Sequence, residues 1–297
     1  MMREFSQAKK GIYLCPVLTN DEVAQGIFLM RLHAPEIAMT VWPGQFVNVQ
    51  AAGGPAIPLK NTKGMAGQEA ISFPLLRRPF SVCEADRRAG TISIIGKIVG
   101  VGTRLLAQHH PGTVLSVLGP LGQGFDLSKL AGPIALVAGG VGVAPLPLLA
   151  MELASRRMPF DVLLGARTKA ELWGERELSA LGGKVKIATD DGSLGAEGLV
   201  TSLLAEWLRD HKDSRARVFA CGPMPMLNAV AKLCSEASIE AQLAIETMMG
   251  CGFGICMGCP VVPAEGVKEF GRYYLACLDG PVFSATAIRF EHYDSHE

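Results

Sequence analysis

Four cysteines near the C-terminus, Cys251, Cys256, Cys259 and Cys277, form a C-x4-C-x2-C-x17-C pattern. This spacing is the plant-type one for a [2Fe-2S] cluster, in which four thiolates share two irons and three come from one tight loop. Gly250, Gly252, Gly254 and Gly258 are threaded through that loop. Glycines suit a loop that must aim sulfurs and amides inward through backbone conformations a β-carbon forbids. A structural zinc site is the competing reading, but such sites prefer two short knuckles, and here only one CxxC exists. Buried inert thiols are a third reading, which four cysteines so close together disfavour.

Cys15, Cys83, Cys221 and Cys234 are scattered without framework spacing, so disulfides are not indicated. The segment Met1 to Tyr13 carries Arg3, Glu4, Lys9 and Lys10 with no apolar core behind them, unlike a secretory signal. Both observations point to a reducing cytoplasm. Lysine plus arginine equals aspartate plus glutamate at 28 each, and the absence of a basic block argues against nucleic acid as partner. Leu130 to Met151 holds no charge and is long enough for a membrane span. Its four glycines and three prolines instead parse as a buried strand, a turn and a helix start.

The 297 residues suggest about two domains with a small appendage. Residues 1–128 read as a small antiparallel β-barrel, with strands expected at Val41–Gln50, Thr91–Val99 and Thr113–Leu118. Ala51 to Gln68, rich in glycine and proline, reads as an extended loop, of which Ala51 to Gly67 could dock a partner. Residues 129–240 alternate strands at Ile134–Ala138, Phe160–Gly165, Lys184–Thr189 and Arg217–Ala220 with helices near 145–156, 170–180, 198–210 and 224–237. That alternation predicts a doubly wound α/β parallel sheet. Residues 241–297 form the third, small unit around the cysteines, closed by a strand at Arg272–Leu278.

Two glycine words mark phosphate sites. In Leu136-Val-Ala-Gly-Gly-Val-Gly-Val-Ala-Pro145 a buried strand runs into Gly139, Gly140 and Gly142 and then a helix, a turn that lets amides approach a pyrophosphate. Ala220-Cys-Gly-Pro-Met224 ends a later strand and opens another helix, pointing to the same crevice. Taken alone, the first word also fits an ordinary strand-to-helix turn. The barrel half has its own set: Arg78-Pro-Phe-Ser81, Ile95-Gly-Lys97 and Gly100-Val-Gly-Thr103. An arginine pairs with a diphosphate, an aromatic ring stacks on a flat ring, and a Gly-x-Gly-Thr turn presents amides. Singly, Arg78 reads equally as a surface ion pair, Phe80 as core and Gly102 as a turn former.

The order of these words resembles the ferredoxin-NADP reductase superfamily, in which a flavin barrel precedes a pyridine-nucleotide domain. With the cysteine pattern added, the chain is similar to the electron-transfer subunits of class 1B, NAD-dependent, dihydroorotate dehydrogenases. Leu75-Leu-Arg-Arg-Pro-Phe-Ser81, Gly250-Cys-Gly-Phe-Gly-Ile-Cys-Met-Gly-Cys259 and Cys277-Leu-Asp-Gly-Pro-Val-Phe283 carry that likeness, which spans nearly the whole chain. It departs in the loop from Ala51 to Gly67 and in Phe80, where the wider superfamily often has tyrosine.

The resemblance implies FAD, a [2Fe-2S] cluster and NAD as cofactors. Arg78 would bind the FAD diphosphate, Pro79 and Phe80 would shape the flavin slot, and Ser81 would reach the ring edge. Ile95, Gly96, Lys97, Gly102 and Thr103 would hold the rest of FAD. Gly139, Gly140 and Gly142 would face the NAD pyrophosphate, with Cys221 and Gly222 near the nicotinamide, although Cys221 reads equally as a buried spectator. The turn Thr189-Asp-Asp-Gly-Ser193 could contact the nucleotide, with a solvated acidic turn the preferred reading. Cys251, Cys256, Cys259 and Cys277 would ligate the cluster.

In that family reading electrons leave dihydroorotate on the FMN of a catalytic partner subunit, cross the cluster and FAD, and reduce NAD+, in pyrimidine (UMP) biosynthesis. The implied assembly is a cytoplasmic heterotetramer, and no residue here is assigned to dihydroorotate oxidation itself. Two rivals stay open. One is the small subunit of an NADH-dependent ferredoxin-NADP oxidoreductase, separated by the Arg78–Ser81 word, where that rival tends to carry an isoleucine-proline-leucine-threonine type of word. The other is a non-enzymatic redox-sensing module with structural zinc.

Overall fold

The computed structural model describes residues 10–51, 76–212, 214–265 and 273–290. The expected docking loop beyond Ala51, and Arg272 of the expected last strand, lie outside the described residues.

Six strands close a barrel: β1 (Gly11–Ala24), β2 (Ile27–His33), β3 (Phe46–Val49), β4 (Arg78–Asp86), β5 (Thr91–Lys97) and β6 (Val114–Leu121), in the order β1-β2-β5-β4-β3-β6. Every pair is antiparallel. Closure removes the exposed edges that six short strands would otherwise present. The expected strand at Val41–Gln50 is shorter than its composition suggested, because Trp42–Gln45 turns and only Phe46 to Val49 pairs. Just before it stands α1 (Pro35–Thr40), whose proline sits where a helix start has no need of its N–H. The helix α2 (Val101–Ala107) opens directly after Gly100.

The second layer is a seven-stranded sheet. Its strands are β7 (Ile134–Gly139), β8 (Asp161–Ala166), β9 (Lys184–Thr189), β10 (Ala196–Glu197), β11 (Arg217–Cys221), β12 (Glu240–Ala244) and β15 (Val282–Ser284), ordered β10-β9-β8-β7-β11-β12-β15. All pairs are parallel except the last, where β15 returns antiparallel to β12. The sheet therefore draws strands from beyond residue 240, which periodicity alone did not reveal. Between them, β13 (Pro260–Val261) and β14 (Tyr274–Leu275) form a separate two-stranded ribbon.

β7 shows why this sheet is central. Ala135 and Val137 pack into one core, Ile134, Leu136 and Ala138 into the other, so each face of the strand is covered. Strands buried on both sides read as unbroken apolar runs. The stretch from Leu130 to Met151 resolves into β7, a 3-10 turn (Gly140–Val143) and the helix α3 (Leu146–Ser155). No helix of the described residues is long and apolar enough to cross a membrane. α3 is buried on nearly all sides, with Leu148 in the barrel core and Leu146 and Leu149 in the sheet core. Each such side chain contributes about 1.5–3 kcal/mol by leaving water, which fastens barrel to sheet. The expected helix over 170–180 splits into a 3-10 turn (Lys169–Glu171) and α4 (Glu175–Ala180), because Gly174 between them sits at φ 103°. α5 (Val200–Asp210) buries Val200, Leu203, Leu204, Trp207 and Leu208, the one-sided stripe of a surface helix. α6 (Met224–Glu236) completes that layer.

Candidate functional site

A crevice runs between the barrel and the ends of the parallel strands. Its inner part is a cavity of about 300 Å³ lined by Pro79, Phe80 and Ser81 of β4, Ile95, Gly96 and Lys97 of β5, Val141 and Ala144 of the turn after β7, and Ile245, Glu246 and Met249 after β12. The two barrel words thus meet in one slot. Phe80 is held edge-on by Phe28, with ring centroids 5.9 Å apart. Gly96 is needed there, since a Cβ would come within 2.7 Å of both rings. Arg78, next to Pro79 on β4 but outside the lining of either cavity, lays its guanidinium over Gly102, where a Cβ would stand 2.8 Å from Nε, and donates from Nη1 to the Leu76 carbonyl at 2.6 Å. A side chain at Gly102 would push this guanidinium aside. Thr103 commits its hydroxyl to its own turn, accepting from the N–H groups of Val99 (3.0 Å) and Gly100 (3.2 Å), so its part is to shape the turn.

The outer part is a cavity of about 470 Å³ whose lining includes Gly139, Gly140, Gly165, Arg167, Asp190, Pro223, Met226 and Glu246. Gly140 has φ 55° and open space on its Cβ side, a conformation that turns the backbone toward the cavity. Gly142 and Gly222 lie behind the wall. A Cβ on Gly142 would be 2.4 Å from the Cys221 carbonyl, so the two glycine words are pressed backbone to backbone. Cys221 is buried there, and burial followed by the nearby Glu246 carboxylate pushes its thiol well above the ordinary range.

Lys97 faces both cavities and pairs with Glu171 across the crevice at 2.7 Å. The acidic turn divides its labour: Asp190 lines the outer cavity, while the exposed Asp191 accepts from the hydroxyl and amide of Ser193, which hold its carboxyl below the usual range. Glu246, which no local pattern announced, lines both cavities and as a residue stays exposed to solvent, while the atoms crowded around its carboxyl raise its pKa by desolvation.

The cysteine loop follows directly, Met249 of the inner cavity being two residues before Cys251. Gly252 and Gly254 adopt φ 79° and 88°, as the loop reading requires. Gly250 and Gly258 do not. Cβ atoms there would meet the Cys256 sulfur at 3.1 and 3.4 Å, so these two glycines make room for sulfur, and Met257 takes the third positive φ. Cys259 and Cys277 are buried with sulfurs 3.3 Å apart. Cys251 and the exposed Cys256 form a second, outer group, the Cys256 backbone N–H donating to the Cys251 sulfur at 3.4 Å.

Among the described residues, no three such donors converge as a single-ion site demands. Three thiols on one loop, with Cys277 reaching Cys259 from a separate segment, instead suit a cluster whose irons each take two thiolates. The donor chemistry agrees. Although partial burial opposes it, amide donation from Cys256 and Phe253 lowers the Cys251 thiol to about 6. Burial, then the neighbouring Cys259, pushes Cys277 up to about 12, a proton that binding iron must displace.

Around the loop, Met248, Phe253, Ile255 and Met257 stand exposed.

Family models match two parts of the chain. Residues 136–232 fit the oxidoreductase NAD-binding domain, and residues 246–289 fit the iron-sulfur cluster binding domain of dihydroorotate dehydrogenase B. The chain is 35% identical over 283 residues to a dihydroorotate dehydrogenase B (NAD(+)) electron transfer subunit of Desulforamulus reducens, covering 94% of this chain and 99% of that protein. It is 41% identical over 252 residues to the subunit of the same description from Bacillus caldolyticus, covering 83% and 86%. Among solved structures, one describing an NADH-dependent reduced ferredoxin-NADP oxidoreductase superimposes with a TM-score of 0.76 at 26% identity, over 95% of this chain and 91% of that one. The cytochrome b5 reductase domain of Ulva prolifera nitrate reductase shares the fold at TM-score 0.59 and 16% identity, over 82% and 96%.

Proposed function

This chain belongs to the family of electron transfer subunits of NAD(+)-dependent dihydroorotate dehydrogenase B, and from that premise we propose that it carries electrons from a catalytic partner subunit to NAD+. One observation carries the reading. The slot between the barrel words, the nucleotide-sized cavity and the cysteine loop are consecutive along one crevice, with Glu246 and Met249 leading from one to the next.

Each part has work that its own residues define. Phe80 and Pro79 offer a flat apolar wall to the flavin ring, and Arg78 beside Gly102 offers a fork of donors to the FAD diphosphate. Gly139 and Gly140 leave the end of β7 open to a pyrophosphate, next to the start of α3. The apolar walls of the inner cavity keep water away from the ring they face. The four thiolates hold the cluster, and amides from Phe253, Cys256 and Gly258 point at sulfur, a device that tunes cluster potential. Bound in these places, FAD supplies the conversion between the hydride pair of NAD and the single electrons of the cluster.

Dihydroorotate oxidation belongs, in this reading, to the FMN-bearing partner. The exposed apolar residues around the cysteine loop support docking there, and the assembly we propose is a cytoplasmic heterotetramer of two of each subunit. The test is reconstitution: dihydroorotate-dependent NADH formation should require both subunits. Flavin reduction by NADH without any transfer from dihydroorotate in the assembled pair would favour the ferredoxin-NADP oxidoreductase reading, which the structural likeness keeps in view. Colourless protein that binds zinc would defeat both.

A further inference from the structure

Asn48 lies in the middle of β3 and is completely buried. A buried primary amide in an apolar barrel wall is costly unless its donors and acceptor are matched. Its Nδ2 donates to the carbonyl of Cys251 at 2.7 Å, across 203 residues of sequence. Its Oδ1 has no partner among the described residues. An aliphatic side chain would avoid that unmatched acceptor, so the donor half is the part the protein uses.

The surroundings are fitted to this contact from both sides. On the loop side, Gly252 at φ 79° leaves the space that the Asn48 amide fills; any Cβ there would overlap it. On the barrel side, Arg77 steadies the strand, donating to the Asn48 backbone carbonyl (3.4 Å), the Ser116 carbonyl (2.6 Å) and the Ser116 hydroxyl (2.8 Å). Asn48 also stands in register opposite Pro79 of the flavin slot, and Phe46, two residues earlier, lines that slot. One strand thus touches the flavin cavity at one residue and the first cluster ligand at another.

We propose that Asn48 is a positioning residue which pins the cluster loop to the flavin barrel, fixing the gap that electrons cross and the environment of the outer iron. This rests on the FAD and cluster assignment above. Partners that orient metal ligands commonly change metal retention or activity by about 10–100-fold when removed.

The experiment compares the full chain, purified anaerobically with FAD and cluster, with Asn48→Ala and with Asn48→Leu, which keeps roughly the shape, adds no charge and removes the donor. Three readouts are taken: the electron paramagnetic resonance spectrum of the reduced cluster, the rate of cluster loss to a chelator, and the lag between flavin and cluster reduction by NADH. Both variants should retain FAD and its reduction by NADH. Their cluster spectrum should change, chelator loss should quicken about tenfold, and electrons should reach the cluster more slowly. Loss of iron with FAD retained supports the proposal in stronger form. Variants with full FAD and iron, an unchanged spectrum and unchanged loss rate would overturn it. Wild-type protein lacking iron and sulfide would instead defeat the function proposed above, so the two failures are distinguishable.

Discussion

The crevice and the cysteine loop hold their groups by opposite means. The crevice is walled by strands: β4 and β5 present Phe80, Ile95 and Gly96, while β7 and β11 press their terminal turns together so closely that Gly142 has no room for a Cβ. The loop from Gly250 to Cys259 contains no helix or strand, and beyond its sulfurs it is tied to the barrel through Asn48. A site made of packed strand ends is stabilised by the core and stands ready before anything binds. A site made of thiols and turns draws its order from the group it holds.

The contrast can be broken most severely at the inner sulfur pair. Cys259→Ser or Cys277→Ser should abolish the cluster, seen as missing iron, sulfide and visible absorption, while FAD content and its reduction by NADH persist. Loss of FAD in the same variants would show that loop and crevice are not independent. Next comes Gly142→Ala. Its Cβ must displace the Cys221 backbone, and overpacking of this kind costs about 1–3 kcal/mol; a thermal melt should register the loss, and NADH should bind more weakly while the cluster stays.

Arg78→Ala tests the arginine beside the slot. A hydrogen bond to a charged group contributes about 1.5–3 kcal/mol, so FAD should wash out roughly ten- to a hundredfold more readily in a dilution assay, with the cluster spectrum unaltered.

The smallest effect concerns Glu246. Its folded-state pKa is raised by desolvation, and because the residue is still exposed to solvent its ionised form opposes folding only weakly. A group with a raised folded pKa favours the native state below its unfolded pKa, and that contribution is lost as pH rises through the folded value. Glu246→Gln should therefore melt slightly higher than wild type at neutral pH, with the difference vanishing below the ordinary carboxylate range. An equal melting shift at acid and neutral pH would contradict the assignment.

The cysteine spacing and the glycine words could be read from the chain because their chemistry is local: sulfurs must be a few residues apart, and a pyrophosphate turn is a contiguous segment. The parallel strands were visible for a similar reason, since two-sided burial leaves runs such as Ile134–Ala138. Strands β12 and β15 were hidden because their place depends on pairing beside β11 at the far side of the cysteine loop. Glu246 was hidden because its importance comes from the cavities it faces, and Asn48 because its partner lies in another part of the chain. The resemblance implies FAD for Lys97, which lines both cavities, and its amine also meets Glu171, a contact made only when barrel and sheet pack together. Residues whose roles arise from tertiary contact carry no local signature.

The measurement that bears most directly on electron transfer through this chain is an anaerobic titration of the purified protein with NADH, followed by visible absorption and low-temperature electron paramagnetic resonance. Flavin bleaching should appear together with the signal of a reduced [2Fe-2S] cluster, in protein containing iron and acid-labile sulfide in equal amounts. A bleached flavin beside an intact cluster that never accepts an electron would contradict electron transfer between flavin and cluster in this chain.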